Sequence, residues 1–292
     1  MLSISSAASD LLLLTRARTE SLVPPDPTVL RHLFAKYSNP GNDPAAFDVL
    51  EQIFLASIDN GDTPTARTAL EKVQARFPAS ESRRSRRLQA MLAEHLGEHE
   101  RAVETYREML RASDGGDSDV QVRKRLVAAL LAQPRKRYEA TAELANYCDT
   151  FAGDAEAWAT LSGVYLEEGM QAQAQYAAEE CVLLEPGSAP AHLRLADILY
   201  TREDHQGALK YYCRALEVSP GSARALYGIR QAAGTLIEAQ KGKRGGGGGD
   251  SETKSANAAV WADLVDMATA KLVAFYDGIE GPQSVTARKW LK

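Results

Sequence analysis

The sequence predicts an all-α fold, a helical solenoid of about five to six stacked helix pairs. Three observations carry that prediction. First, the stretch DAEAWATLSGVYLEEGMQAQAQYAAEECVLLEP starts at Asp154 and is followed by GSAPAHLRLADILYTREDHQGALKYYCRALEVSPG, which ends at Gly221. Second, matching positions of the two copies fall 34 residues apart: Ala174 and Ala208, Cys181 and Ala215, Glu185 and Ser219, Pro186 and Pro220. Third, Trp158, Leu161, Tyr165, Ala174 and Pro186 follow one another in a set order within one copy.

A period of 34 with that order is the tetratricopeptide pattern, a helix–turn–helix unit that buries its apolar face only against its neighbours. The small residue of the second helix is the best register mark, because the two helices cross closely there. Ala66, Ala102, Ala140, Ala174 and Ala208 serve as equivalents, at spacings of 36, 38, 34 and 34. Four residues later stand Leu70, Tyr106, Leu144, Ala178 and Tyr212, which fill the gap toward the next repeat. The longer spacings are assigned to loops at residues 77–80 and 113–117, where insertions cost little.

Residues 1–43 read as an N-terminal arm with short helices over 3–14 and 28–37. Val23-Pro24-Pro25-Asp26-Pro27 breaks regular structure between them. Residues 44–240 form the repeat array. Its first helix, AFDVLEQIFLASIDN, places Phe47, Leu50, Ile53, Phe54 and Ile58 at helical spacing. The turn Gly61-Asp62-Thr63-Pro64 predicts Thr63 as N-cap and Pro64 at the first helical position. The second repeat covers 81–114, with a turn at Gly97-Glu98-His99. The third covers 119–153, and its turn, Gln133-Pro134-Arg135-Lys136-Arg137, is basic. After the matched fourth and fifth repeats, ARALYGIRQAAGTLIEAQ begins a sixth. Residues 241–256, with glycines 245–249, read as a flexible Gly-rich loop. Residues 257–292 read as a C-terminal packing helix and tail. Val260, Leu264, Met267 and Leu272 make its apolar stripe, and Trp290 in the tail serves as a capping or partner contact.

Composition bounds the function. Of 292 residues, 45% are hydrophobic and 25% charged, as in ordinary soluble folded proteins. A net charge of −5 argues against a nucleic-acid partner. Three separated cysteines, Cys148, Cys181 and Cys213, suit reduced thiols better than a disulfide framework. No stretch reaches the roughly 18 apolar residues of a membrane span. The apolar run at Leu11–Leu14 follows Asp10 with no basic segment ahead of it, so no secretory signal is expected. These features predict a cytosolic protein whose membrane contact, if any, is indirect and runs through partners.

No chemistry is expected of the scaffold: no catalytic residues, no metal and no cofactor. The glycine run lacks the Gly-Lys-Ser/Thr end of a phosphate-binding loop. His95 and His99 have metal-pair spacing, but Gly97 between them marks a turn, so both read as solvated turn histidines. His192 and His205 read likewise, and Cys181 and Cys213 read as packing residues. The basic runs Arg83-Arg84-Ser85-Arg86-Arg87, Arg123-Lys124-Arg125 and Arg135-Lys136-Arg137 read either as solvated surface or as part of a groove. In the second reading the first helices line a concave face. Arg84, Arg87, Arg125 and Arg194 then form a positive island for an acidic partner segment. The two-carboxylate clamp of some such repeats needs Lys and Asn on consecutive first helices. The fourth repeat has Ala159 and Gly163 there, and the fifth Leu193 and Asp197.

Longer segments resemble a known family. RFPASESRRSRRLQAMLAEHLGEHERAVETYREML, FAGDAEAWATLSGVYLEEGMQAQAQYAAEECVLLEP and ADILYTREDHQGALKYYCRALEVSPGSARALYGI are similar to subunit 2 of the endoplasmic reticulum membrane protein complex. The resemblance covers about residues 45–235 and is carried most by Phe151-Ala152-Gly153-Asp154-Ala155-Glu156-Ala157-Trp158. It implies a non-catalytic, cytosolic scaffold subunit of an insertase for tail-anchored and multipass membrane proteins. It also implies a peripheral position on the cytosolic face of the membrane. The implied partners are membrane subunits 3 and 5, and soluble subunit 8 or 9 where present. The alternative is a soluble co-chaperone or targeting adaptor that binds partner peptides transiently.

Overall fold

The computed structural model describes residues 2–20, 26–112, 119–242, 251–279 and 282–291, and every regular element among them is a helix. The chain divides into two compact units, Met1–Glu143 and Leu144–Lys292. The first holds α1 (Leu2–Glu20), α2 (Pro27–Lys36), α3 (Pro44–Asp59), α4 (Thr63–Arg76), α5 (Arg83–His95), α6 (His99–Arg111) and α7 (Asp119–Leu131). A short 3-10 turn, Pro134–Lys136, leads into α8 (Arg137–Thr150), in which the division falls. The second unit continues with α9 (Ala155–Glu167), α10 (Gln171–Leu184), α11 (Ala189–Thr201) and α12 (His205–Val218). It ends with α13 (Ala223–Gly242), α14 (Ser251–Asp277) and α15 (Pro282–Leu291).

Helix starts follow local chemistry. Asp26, Asp43, Asp62, Ser82, Asp154 and Asp204 each accept a hydrogen bond from a backbone N–H in the first turn of the helix that follows. Such caps satisfy donors that the helix itself leaves open. The cap of α4 is Asp62 rather than the expected Thr63, one residue earlier, and its carboxylate also accepts the Thr65 hydroxyl at 2.8 Å. A carboxylate with two acceptors reaches both groups, and Thr63 is freed to meet His95.

The small-residue register holds. Ala66, Ala102, Ala140, Ala174 and Ala208 are all completely buried. Leu70, Tyr106, Leu144, Ala178 and Tyr212 are buried with them. In the first unit Phe47, Leu50, Ile53 and Phe54 of α3 join Ala66, Ala69, Leu70 and Val73 of α4 in one cluster. Full burial of each such large side chain contributes about 1.5–3 kcal/mol before entropy is counted. The residues expected as a short-helix arm belong to this same core. Ala7 and Leu14 of α1 and Leu30 and Leu33 of α2 are buried in it. Tyr37 donates to Asp10 at 2.7 Å, and Lys36 pairs with Asp10 at 2.5 Å. α1 runs six residues past the expected end at Leu14.

Four of the first-to-second helix turns share one geometry. Gly61, Gly97, Gly169 and Glu203 stand at φ 73°, 80°, 74° and 65°. The next residue in each donates back five positions: Asp62 to Ser57, Glu98 to Ala93, Met170 to Tyr165 and Asp204 to Leu199, at 2.8–3.0 Å. This is a left-handed helix cap that closes the open carbonyls. From the end of the first helix to the buried alanine each of these repeats takes seven residues, but the third takes nine, from Leu131 to Ala140. The spacing of 38 therefore has two sources, a longer loop before α7 and an enlarged turn after it.

At the C-terminal end α14 packs along α13 as the expected partner helix. Its apolar stripe is Trp261, Leu264, Val265, Ala268, Leu272 and Tyr276, all in the second unit's core cluster. Val260 is off that stripe and 55% exposed, a correction to the expected set. Steps of three and four from Ala268 reach 261, 264, 265 and 272, and 260 falls at the edge of that stripe, about 80° around the helix from Ala268. The expected loop over 241–256 is helical at both ends, since α13 runs to Gly242 and α14 starts at Ser251. Residues 243–250, which hold the glycine run, and the Trp290 side chain lie outside the described residues.

Candidate interaction surface

The first helices of the first unit carry a row of ion pairs. Arg84 and Arg87 stand three apart on α5, so they share a face. Asp48 and Glu51 have the same spacing on α3. Arg84 binds Glu51 and also donates from Nη2 to Asp48 Oδ1 at 2.8 Å. Arg87 donates from Nη2 to Glu51 Oε1 at 3.2 Å and from Nη1 to Gln121 of α7. One repeat further along the array, Arg125 of α7 lies 3.7 Å from Glu94 of α5. Glu51 is only 5% exposed, so its charge is held by the two guanidinium groups and not by water. Planar guanidinium donors suit such divided attachment, which a lysine would not reproduce.

Glu94 belongs to a second recurring arrangement. The Tyr106 hydroxyl donates to Glu94, which Arg125 faces. In the second unit the Tyr212 hydroxyl donates to Asp197 Oδ1 at 2.6 Å, and Arg224 pairs with Asp197 Oδ2. Each tyrosine follows its repeat's buried alanine by four residues. Burial pushes the Glu94 carboxyl above its ordinary range, against the opposing pull of the Tyr106 hydrogen bond and the Arg125 charge. Burial, with the adjoining carboxylate, likewise raises the Tyr106 and Tyr212 hydroxyls above the usual tyrosine range.

Three of the four expected groove residues, Arg84, Arg87 and Arg125, thus lie on adjoining helices of the first unit. Arg194 belongs to the second unit, on α11, where its Nη1 lies 3.3 Å from the place a Cβ on Gly163 of α9 would take. Arg84, Arg87 and Arg125 are not a bare positive island, because each faces a carboxylate. The partners Asp48 and Glu51 were open to detection: they precede Arg84 and Arg87 by 36 residues, the spacing of their two repeats.

The histidines are more enclosed than expected. His95 is half-buried, with Nε2 3.0 Å from the Thr63 hydroxyl. His192 is 4% exposed, bonded through Nε2 to the Pro186 carbonyl at 2.9 Å, and stacked on Tyr211. Its position in the first turn of α11 faces the preceding loop and not water. His205 packs against Tyr200, with ring centroids 4.9 Å apart. Among the described residues there is no cluster of three or more His, Cys, Asp or Glu able to hold a metal ion. The three cysteines are free, Cys148 and Cys181 buried and Cys213 half-buried. Burial raises the thiols of Cys181 and Cys213, which disfavours the reactive thiolate. No described helix is long and apolar enough to cross a membrane.

Comparison with known proteins places this geometry. Residues 69–210 match the family model described as the EMC2 TPR-like repeat domain. ER membrane protein complex subunit 2-B of Xenopus laevis is 31% identical over 184 residues, covering 62% of this chain and 60% of the frog protein. TPR repeat protein oca3 of Schizosaccharomyces pombe is 29% identical over 197 residues, covering 66% and 68%. The chain thus spans about 60% of the length of the Xenopus relatives it matches. Among solved structures, the C-terminal part of a TPR repeat-containing protein from Cytophaga hutchinsonii aligns with a TM-score of 0.59. That alignment covers 97% of this chain and 98% of the other, at 12% identity. PilF of Pseudomonas aeruginosa aligns at 0.53, covering 84% and 97%, at 20% identity. Both likenesses speak for the helical-repeat fold alone.

Proposed function

We propose, on the premise that this chain resembles subunit 2 of the endoplasmic reticulum membrane protein complex, that it is a non-catalytic scaffold subunit of that assembly. The observation that supports this most is the family match over residues 69–210, which takes in α5 and α7, the helices that carry Arg84, Arg87 and Arg125. In this reading the protein sits peripherally on the cytosolic face of the membrane. Its preformed surface holds membrane subunits 3 and 5, and soluble subunit 8 or 9 where present, so that the assembly can insert tail-anchored and multipass proteins. The mechanism is geometric. Helices already locked by caps, small-residue crossings and ion pairs lose little freedom when a partner docks. Arg84, Arg87 and Arg125 offer a partner charged groups that are already held in place, and Arg194 adds a cation on the second unit.

The test is affinity purification of the tagged protein from gently solubilised membranes, with the co-purifying chains identified. A stoichiometric, salt-resistant set of small membrane proteins is the expected result. Recovery of chaperones alone would overturn the scaffold reading in favour of a soluble co-chaperone or targeting adaptor.

A further inference from the structure

The enlarged turn of the third repeat differs from its counterparts in three ways. It is two residues longer, and it replaces the left-handed cap with Pro134 and a 3-10 turn closed by Lys136 N–H to Gln133 carbonyl at 2.9 Å. It carries three consecutive cations, Arg135, Lys136 and Arg137, where the other turns hold Asp62, Glu98, Glu168 or Glu203 and Asp204. Elsewhere in this unit Arg84, Arg86, Arg87, Arg101, Arg107 and Arg111 each engage a carboxylate. Arg135 and Lys136 engage none among the described residues. Next to them, Tyr138 is 89% exposed, the most exposed large apolar side chain among the described residues. An insertion confined to one repeat of an array is placed where binding surfaces arise.

We propose that Arg135, Lys136 and Tyr138 form a contact for the headgroup layer of an anionic lipid bilayer. Basic side chains at such a surface each raise partition about five-fold, by the attraction of a cation to the negative leaflet. A tyrosine ring has an apolar body and a polar tip, the chemistry that settles at headgroup depth. Arg135, Lys136 and Tyr138 fall within four consecutive residues, across the 3-10 turn and the start of α8, which suits a flat charged surface. An extended acidic peptide needs a longer row of contacts than this turn supplies. The contact adds a direct membrane site to a reading in which the membrane is reached through partner subunits, and it stands or falls separately.

The experiment is co-sedimentation of the purified full chain with vesicles of phosphatidylcholine alone and with added phosphatidylserine, at low and at physiological salt. Arg135→Gln/Lys136→Gln and Tyr138→Ala are compared with the parent after circular dichroism shows equal helicity. Binding that requires phosphatidylserine, weakens with salt and falls at least ten-fold in the double variant is expected, with a smaller loss for Tyr138→Ala. Equal binding to both vesicle types, or variants that bind like the parent, would overturn it. So would absence of vesicle binding combined with capture of a poly-glutamate peptide, which would assign the turn to an acidic protein segment. Complex membership is read by co-purification, so failure of one reading is distinguishable from failure of the other.

Discussion

Gly228 of α13 lies directly against the ring of Tyr212 of α12: a Cβ added there would fall 2.6 Å from Cζ. The ring cannot swing aside freely, because its hydroxyl is bonded to Asp197, which Arg224 pairs with in turn. Gly228→Ala should therefore destabilise the protein by about 1–3 kcal/mol. That loss runs against the gain of up to about 1 kcal/mol that alanine brings to a helix interior. Urea unfolding of the single variant and of Gly228→Ala/Tyr212→Leu measures both. The double variant should recover part of the loss, and two purely additive effects would show that the ring is not the obstacle.

Glu51 holds two arginines at once, so its removal should cost more than removal of either. Glu51→Ala is expected to lose about 1–3 kcal/mol, discounted because Arg84 is half-exposed. Arg84→Ala should lose less than about 1 kcal/mol. Arg87→Glu would bring a carboxylate against Glu51 and should destabilise, so a binding test of that position needs Arg87→Gln. Equal melts for Glu51→Ala and the parent would remove the row from the account of stability.

Glu94 should leave a pH signature. Its folded carboxyl is raised by burial above the unfolded value, so the folded state binds the proton more tightly. Its contribution to stability is fully present below the unfolded glutamate range, at about pH 4, and is lost as pH rises through the raised folded value. Relative to Glu94→Gln, the parent should be more stable at acidic pH than at neutral pH. A stability difference that stays flat between those two conditions would contradict the shift.

Glu203 occupies the left-handed position that glycine fills in the turns at Gly61, Gly97 and Gly169. A non-glycine residue pays roughly 1–2 kcal/mol there, partly offset because glycine has a freer unfolded chain. Glu203→Gly should stabilise by up to about 1 kcal/mol, read as a raised urea midpoint with unchanged slope. A lower midpoint would mean that the Glu203 side chain contributes more than its backbone strain costs.

The parts legible in the sequence were those set by residue size and local chemistry. A close crossing admits only a small side chain, so Ala66, Ala102, Ala140, Ala174 and Ala208 announced themselves. The acidic side of the candidate surface was legible as a spacing, since Asp48 and Glu51 stand one repeat before Arg84 and Arg87, but the burial of Glu51 arises only once two repeats stack. The charges of Arg84, Arg87 and Arg125 were visible one by one, but their compensation was a property of neighbouring helices. Val260 was misplaced for a simpler reason: in a helix with apolar residues at both 260 and 261, only the packing of α13 decides which one turns inward. The cap of α4 was ambiguous between Asp62 and Thr63, two good cappers side by side.

Three charge pairs of the first unit join residues 33, 36 and 32 positions apart, in Arg84–Glu51, Arg87–Glu51 and Arg107–Glu139. Each link therefore spans one repeat and no more. A chain built of near-copies faces a hazard during folding, in which a helix docks on the wrong copy and leaves out a pair. Apolar crossings at interchangeable alanines would not detect such a slip. Matched acid and base would, since α3 offers its two carboxylates to α5, and α7 presents Gln121 and Arg125 instead of an Arg84 and Arg87 pair. Ion pairs of this spacing favour docking on the neighbouring repeat over docking on a more distant copy.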